Sequence, residues 1–247
     1  MIPLIYHTGL TPPPPCHIAG YEVCHFSVLN VEYEYSNAPQ DIIDILLMDP
    51  IVLMMSKNAV IGLHKWLLHF GLESDFFAEV DFCTVGERTH GCLKEILGIE
   101  SFYPDQTTGK GVILALQKQN YSNILLISGQ KPRQEFIEDL SSAGINFFHF
   151  PVYKIYVCES NKLSAHFKDH ESNYLIITSP SAVEGILRSL SLLDLSRLKN
   201  RIISIGPTTS AAICQGGGEV FLESEVQNIN ALYGSLEKLI TEVLYAG

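Results

Sequence analysis

A chain of 247 residues that is 47% hydrophobic and only 17% charged can bury one large core or two of ordinary size, which excludes disorder of the polar, highly charged kind. A net charge of −11 leaves no basic footprint for DNA or RNA, so no nucleic-acid partner is expected. The six cysteines (Cys16, Cys24, Cys83, Cys92, Cys158, Cys214) form no CxxC pair, and the expectation is free thiols in a reducing cytoplasm, not a disulfide framework or a zinc ribbon.

The amino terminus lacks the basic region and long apolar run of a secretory signal. Residues 4–6 read as a short buried strand. Thr11-Pro12-Pro13-Pro14-Pro15 then cannot continue a helix beyond its first turn. Residues 21–35 contain two strand-like pieces, and 41–47 mix helix and strand signals. The apolar run 42–55 is broken by Asp44, Asp49 and Pro50, so it is too short and too polar to span a bilayer, and no membrane partner is expected. Residues 51–55 read as a buried strand and 59–70 as a helix with Val60, Leu63, Leu67 and Leu68 on one stripe. A strand follows at 82–85, then helices at 89–97 and 109–119.

The second half is cleaner. A strand at 123–127 precedes a helix at 133–143 closed by Gly144. Residues 146–157 are β-rich. Strands at 174–178, 201–205 and 219–222 alternate with helices at 181–190, 209–214 and 229–244. The last helix carries Leu232, Leu236, Leu239, Ile240, Val243 and Leu244 on one face. Strand–helix alternation with apolar strands predicts parallel sheets covered on both faces, and such sheets bind ligands outside the carboxyl ends of their strands.

Three short motifs recur in the same order at an offset of roughly 120 residues, far longer than a solenoid repeat. Leu4-Ile5-Tyr6-His7-Thr8-Gly9 returns as Leu125-Leu126-Ile127-Ser128-Gly129. Met54-Met55-Ser56-Lys57-Asn58-Ala59-Val60 returns as Ile177-Thr178-Ser179-Pro180-Ser181-Ala182-Val183. Thr84-Val85-Gly86-Glu87-Arg88-Thr89 returns as Ser204-Ile205-Gly206-Pro207-Thr208-Thr209. Two similar α/β units with a cleft between them are expected. The β-rich segments near 27–35 and 150–158 read as crossings between them. Residues 1–30 with 158–247 then make a discontinuous domain, 36–149 an inserted one, and 31–35 and 150–157 the linker strands.

Ser179-Pro180-Ser181-Ala182-Val183 after a strand, Ile205-Gly206-Pro207-Thr208-Thr209-Ser210-Ala211, Gly129 with Arg133, and Val152-Tyr153 together resemble the uroporphyrinogen-III synthase family. The resemblance runs from about Met48 onward. Relatives usually end the first strand in Thr-Arg-Pro, where this chain has His7-Thr8-Gly9; Ser56-Lys57-Asn58 replaces a commoner Thr-Ser form. The resemblance implies two flavodoxin-like α/β domains on a two-stranded ladder. It implies a cofactor-free, cyclising hydro-lyase that closes the linear tetrapyrrole hydroxymethylbilane to uroporphyrinogen III and inverts the last ring. A cytoplasmic monomer is expected, fed by hand-over from the deaminase that makes the bilane. The competing reading is a non-catalytic tetrapyrrole binder or sensor on the same scaffold.

A substrate with many carboxylates needs donors, and helix N-termini provide them through free N–H groups and the positive dipole end. Ser56, Thr89, Ser179, Ser181, Thr208 and Thr209 all fall at predicted helix starts, where a hydroxyl either caps the helix or serves a ligand. The repeat and the resemblance favour ligand contact for Thr89, Thr209 and Ser179. Tyr153 matches the family's linker tyrosine, implied to assist departure of the hydroxyl; Tyr156 is expected to point to the opposite face. Arg133 and Arg201 are candidate carboxylate clamps, with Lys57 and Arg88 as lesser ones. His166 and His170 stand one helical turn apart without a third ligand nearby, so they are expected at the surface and no metal is expected. Residues 107–111 lack the first glycine and final Ser/Thr of a phosphate loop.

Overall fold

The computed structural model describes residues 2–15, 18–169 and 172–245. Cys16 and His170 lie outside the described residues. The chain divides into two compact units, Met1–Asn30 with Tyr156–Gly247, and Val31–Ile155.

The amino-terminal strands are β1 (Leu4–His7), β2 (Glu22–His25) and β3 (Leu29–Tyr33). The ambiguous stretch that follows is a helix, α1 (Pro39–Leu46). Pro39 opens it at a position where no N–H is needed, and the Asp41 carboxylate accepts the Ala38 N–H at 3.0 Å. Then come β4 (Ile51–Met54), α2 (Lys57–His69), β5 (Phe82–Thr84), α3 (Glu87–Leu97) and α4 (Gly109–Lys118). On α2 the inward stripe is Val60, Leu63, Trp66 and Leu67. Leu68 is 64% exposed, because it lies a further 100° around the helix from Leu67.

Next are β6 (Asn123–Gly129), α5 (Gln134–Ser142) and the twelve-residue β7 (Asn146–Val157). Gly144 takes φ 72° after α5, the left-handed position the sequence assigns to it. One helix had no clear signal, α6 (Asn161–Asp169), which the Ser160 hydroxyl caps by accepting the Leu163 N–H at 3.3 Å. The chain ends through β8 (Ser172–Ile177), α7 (Pro180–Leu190), β9 (Arg201–Ser204), α8 (Pro207–Gln215), β10 (Val220–Glu223) and α9 (Ile229–Tyr245).

Unit 1 holds a five-stranded sheet in the order β10-β9-β8-β1-β2, with parallel neighbours throughout. The second sheet has the order β3-β7-β6-β4-β5, and its pairs from β7 to β5 are parallel. β3 and β7 are antiparallel: Cys158 N–H donates to Val28 C=O at 2.9 Å and Glu34 N–H to Val152 C=O at 3.0 Å, numbers rising on one strand as they fall on the other. The chain passes from unit 1 to unit 2 in β3 and returns in β7.

Strand alternation splits each core in two. In unit 2, Val52, Met54, Leu125 and Ile127 face Val60, Leu63 and Trp66, while Ile51, Leu53, Ile124 and Leu126 face Val112, Leu116, Phe136 and Leu140. In unit 1, Tyr6, Leu175, Ile177 and Ile202 meet Ala182, Val183, Ile186 and Ile213; Ile5, Tyr174, Ile176 and Ile203 meet Leu232, Tyr233, Leu236 and Ile240 on α9.

The sequence repeat maps onto the sheets in register. The neighbouring strands β9-β8-β1-β2 of one sheet correspond to β5-β4-β6-β7 of the other, so the three recurring motifs end three adjacent strands in the same lateral order in both. Burial follows: residues 81–90 and 201–210 repeat the same pattern position by position. A lone parallel bridge between Cys83 and Phe102 extends the second sheet where β10 extends the first.

Candidate functional site

Four helix starts stand at the carboxyl ends of paired strands: α2 after β4, α3 after β5, α7 after β8 and α8 after β9. Backbone bonds tie each pair of connecting loops, Val85 N–H to Met54 C=O at 3.1 Å in unit 2 and Ile205 N–H to Ile177 C=O at 3.3 Å in unit 1. The caps of α3 and α8 are Gly86 and Gly206, both in extended backbone. A Cβ at Gly86 would lie 2.7 Å from Thr107 Cγ2, and one at Gly206 2.7 Å from Gln227 Cγ, so only glycine lets those side chains pack so close. Thr84 Oγ1 donates to Gly86 C=O at 3.3 Å and Ser204 Oγ to Gly206 C=O at 3.0 Å, which holds each loop the same way.

The hydroxyls at these starts differ in employment. Thr89 and Thr209 are buried, 4% and 3% exposed. Ser179 Oγ is buried without a partner, although Ser179 is the N-cap of α7. Ser56, the N-cap of α2, is the exception: its Oγ accepts the Ala59 N–H at 3.2 Å and lies 3.1 Å from the Tyr153 hydroxyl. Thr208 and Ser181 are exposed.

Tyr153 is half-buried on β7. Its ring lies over Gly129, where a Cβ would come within 2.9 Å of Cε2, and its carbonyl accepts the Gln130 N–H at 2.8 Å. Tyr156 is 40% exposed, and its hydroxyl accepts Asn30 Nδ2 at 3.0 Å. The tyrosine that sequence reasoning missed is Tyr33: burial, with Tyr153 and Tyr35 close by, pushes its phenol pKa up, and Lys65 Nζ sits 4.9 Å from its ring centre.

The cationic candidates are dispersed. Lys57 and Arg133 are exposed, Lys57 at the first position of α2 near Cys92 and Arg133 at the cap of α5. Arg88 is exposed in the first turn of α3. The structure does not bring Arg201 to the same edge. It begins β9 at the amino end, with its guanidinium 4.9 Å from the Phe221 ring centre and Nη1 3.3 Å from the Tyr174 hydroxyl. His166 is not a free surface residue either: its Nδ1 lies 2.9 Å from the Tyr6 hydroxyl and its ring packs on Tyr6 and Phe26.

Histidines also mark the ends of β1 and β2, where the sequence departs from Thr-Arg-Pro. His7 and His25 are direct register partners with ring centres 5.4 Å apart. His7 Nε2 faces the Thr11 carbonyl at 3.1 Å and therefore carries the proton, so Nδ1 accepts the Tyr233 O–H at 3.0 Å. Burial, then the neighbouring His25, push the His7 pKa down to about 4. His25 Nε2 donates to Gly9 C=O at 2.8 Å. In unit 2, His149 Nε2 meets Gly129 C=O at 3.1 Å and Ser128 Oγ at 3.0 Å, so a histidine of the neighbouring strand closes the glycine carbonyl in both units.

Residues 15–234 match the model of the family described as uroporphyrinogen-III synthase HemD. Over 165 residues, 65% of the chain, the sequence is 29% identical to a Ruminiclostridium josui protein named porphyrin biosynthesis protein HemD. The match covers 32% of that protein, so the chain spans about a third of the length of this curated relative. Among solved structures, the uroporphyrinogen-III synthetase of Helicobacter pylori is similar with a TM-score of 0.63 at 19% identity, over 97% of this chain and 100% of that one. A mutant uroporphyrinogen III synthase of Thermus thermophilus is similar at 0.53 and 16% identity, over 90% and 91%. At these identities the structural likeness is one of fold, and the family match supplies the rest: the chain belongs to the uroporphyrinogen-III synthase family.

Proposed function

We propose that this protein cyclises hydroxymethylbilane to uroporphyrinogen III with inversion of the last ring. Family membership supports the reaction class. The observation that carries the reading to these residues is the buried Ser179 hydroxyl left without a partner at the start of α7, with Thr89 and Thr209 buried at the starts of α3 and α8. A buried hydroxyl left unpaired costs about 1–3 kcal/mol, and a ligand carboxylate removes that cost. The helix starts of each unit add free N–H groups and the positive dipole end.

In this reading Tyr153 gives a proton to the departing hydroxyl, which leaves as water and makes a cationic terminal ring. The substituted carbon of the far pyrrole attacks that ring, and the spiro intermediate fragments and recloses. Spontaneous closure gives the other isomer, so the main task of the binding groups is orientation. Lys57, Arg133, Ser181 and Thr208 are exposed donors for the outer carboxylates. We propose further that the chain works as a cytoplasmic monomer and takes its bilane directly from the deaminase that makes it.

The test is incubation with freshly made hydroxymethylbilane and resolution of isomers I and III. Isomer III should dominate. The isomer mixture of the protein-free control, together with tight product binding, would instead support the non-catalytic binder. Thr89→Val and Thr209→Val should each lower the rate of isomer III formation by about 10- to 150-fold, the worth of one hydrogen bond to a charged group. Unchanged turnover in both would make these threonines packing residues only.

A further inference from the structure

We propose that Ser56 acts through Tyr153 and not on the substrate: it donates its proton to the phenol oxygen, so that the phenol's own proton is free for the leaving hydroxyl. The inference rests on the reading of Tyr153 given above.

The two units contain their own control. Ser56 and Ser179 are repeat partners with nearly identical backbone, φ −160° and ψ 158° against φ −161° and ψ 155°. Six residues on, Gly62 packs against Val152 and Gly185 against Val28, with a Cβ at either glycine only 2.6 Å from its valine. Val152 and Val28 are therefore equivalent, and the next residue is Tyr153 in unit 2 and Leu29 in unit 1. Ser179 has no partner because its unit carries leucine where the other carries tyrosine. α7 forms with the same cap geometry without any such bond. The Ser56–Tyr153 pair is thus not required by the fold.

The pair is also held from three sides. Ser56 Oγ receives the Ala59 N–H, the ring rests on Gly129, and the Tyr153 carbonyl receives the Gln130 N–H. A hydroxyl that already accepts one hydrogen bond is a stronger donor. With the Ser56 proton on the phenol oxygen, the phenol proton must point elsewhere. When that proton leaves for the departing hydroxyl, the charge left on the phenol oxygen faces the Ser56 O–H and the α2 N-terminus. The proton shed by the attacking pyrrole on ring closure restores the phenol.

The experiment is a double-mutant cycle of Ser56→Ala and Tyr153→Phe, read by kcat, KM and product affinity. Ser56→Ala should lower kcat by about 2- to 12-fold with KM and product affinity unchanged, and Ser56→Thr should restore it. Ser56→Gly, which keeps a competent cap, should behave as Ser56→Ala, which separates loss of the hydroxyl from loss of the helix start. In the Tyr153→Phe background Ser56→Ala should change nothing further. If the two effects multiply, or KM rises at constant kcat, Ser56 binds substrate directly and the inference is overturned while the proposed function stands. A fully active Tyr153→Phe overturns the role of the tyrosine and the inference with it, whereas failure of the function itself is seen separately as absence of isomer III from the unmodified protein.

Discussion

His7 is 1% exposed, and both ring nitrogens are spoken for, one by the Thr11 carbonyl and one by the Tyr233 hydroxyl. A proton on Nδ1 would break the bond from Tyr233 and put charge beside His25 in a buried place. The folded pKa of about 4 therefore lies below the ordinary 6.5, and unfolding takes up a proton between those values. Stability from this group is complete above about pH 6.5, falls as pH drops, and is exhausted below about pH 4. The loss across that window is about 3 kcal/mol at most. Urea unfolding at a series of pH values should show the slope, and His7→Gln should flatten it. His149, which burial also holds below its ordinary pKa, adds a slope of the same sign that His7→Gln leaves in place. A slope equal in both proteins would mean that the histidine is not buried in the neutral form. Gly9 belongs to the same corner: a Cβ there would stand 2.6 Å from Thr178 Oγ1 and 2.7 Å from His7 Nε2, so the histidine that ends β1 and the glycine two residues on come as a pair.

Among the elements, α2 and α7 show why glycine sits inside a helix where propensity alone disfavours it. Gly62 and Gly185 let each helix approach a valine and its carbonyl: a Cβ would be 2.9 Å from Val152 O in one case and 2.7 Å from Val28 O in the other. Alanine would gain up to about 1 kcal/mol of helix propensity and lose more to overpacking, which costs about 1–3 kcal/mol. Gly62→Ala and Gly185→Ala should each lower the denaturation midpoint, and trimming the facing valine to alanine should return part of the loss. A rise in the midpoint would show that the helices can shift at no cost. The same contacts set how deep Ser56 and Ser179 sit at the head of their helices.

At the scale of the whole molecule, the repeat in the sequence and the units in space do not coincide. One copy of the repeat contains the ends of β1, β4 and β5, and the other those of β6, β8 and β9. The units instead group β4, β5 and β6 against β8, β9 and β1. Each unit holds one complete set of motifs, and the set is cyclically permuted: β1 opens the chain in unit 1, while its equivalent β6 comes last of the three in unit 2. Val31–Ile155 is therefore a continuous segment with a full set of motifs, a sheet from β3 to β5 and both halves of its core. Expressed alone, it should fold and melt cooperatively by circular dichroism. A fragment without a cooperative transition would mean that its core depends on the rest of the chain.

What the sequence determined by itself is local and periodic. Apolar runs of strand length, helical stripes, Gly144 and the glycine boxes at Gly86 and Gly206 specify parallel α/β units with helix starts after strands, because backbone preference and burial period act over a few residues. The recurring boxes also place Ser56, Thr89, Ser179 and Thr209 at helix starts. Where local signals conflict, as at residues 41–47, or where Leu163 alone is buried among the described side chains, as in α6, the sequence is silent, since packing decides those segments. The tertiary structure alone decided the lateral order of strands, and with it every long-range pair: Ser56 with Tyr153, 97 residues apart, and His7 with Tyr233, 226 apart. It also decided that Arg201 packs against Phe221 and Tyr174 and that Ser179 has leucine where Ser56 has tyrosine. Those facts depend on which side chain a folded sheet places across from which, and no period in the chain encodes that.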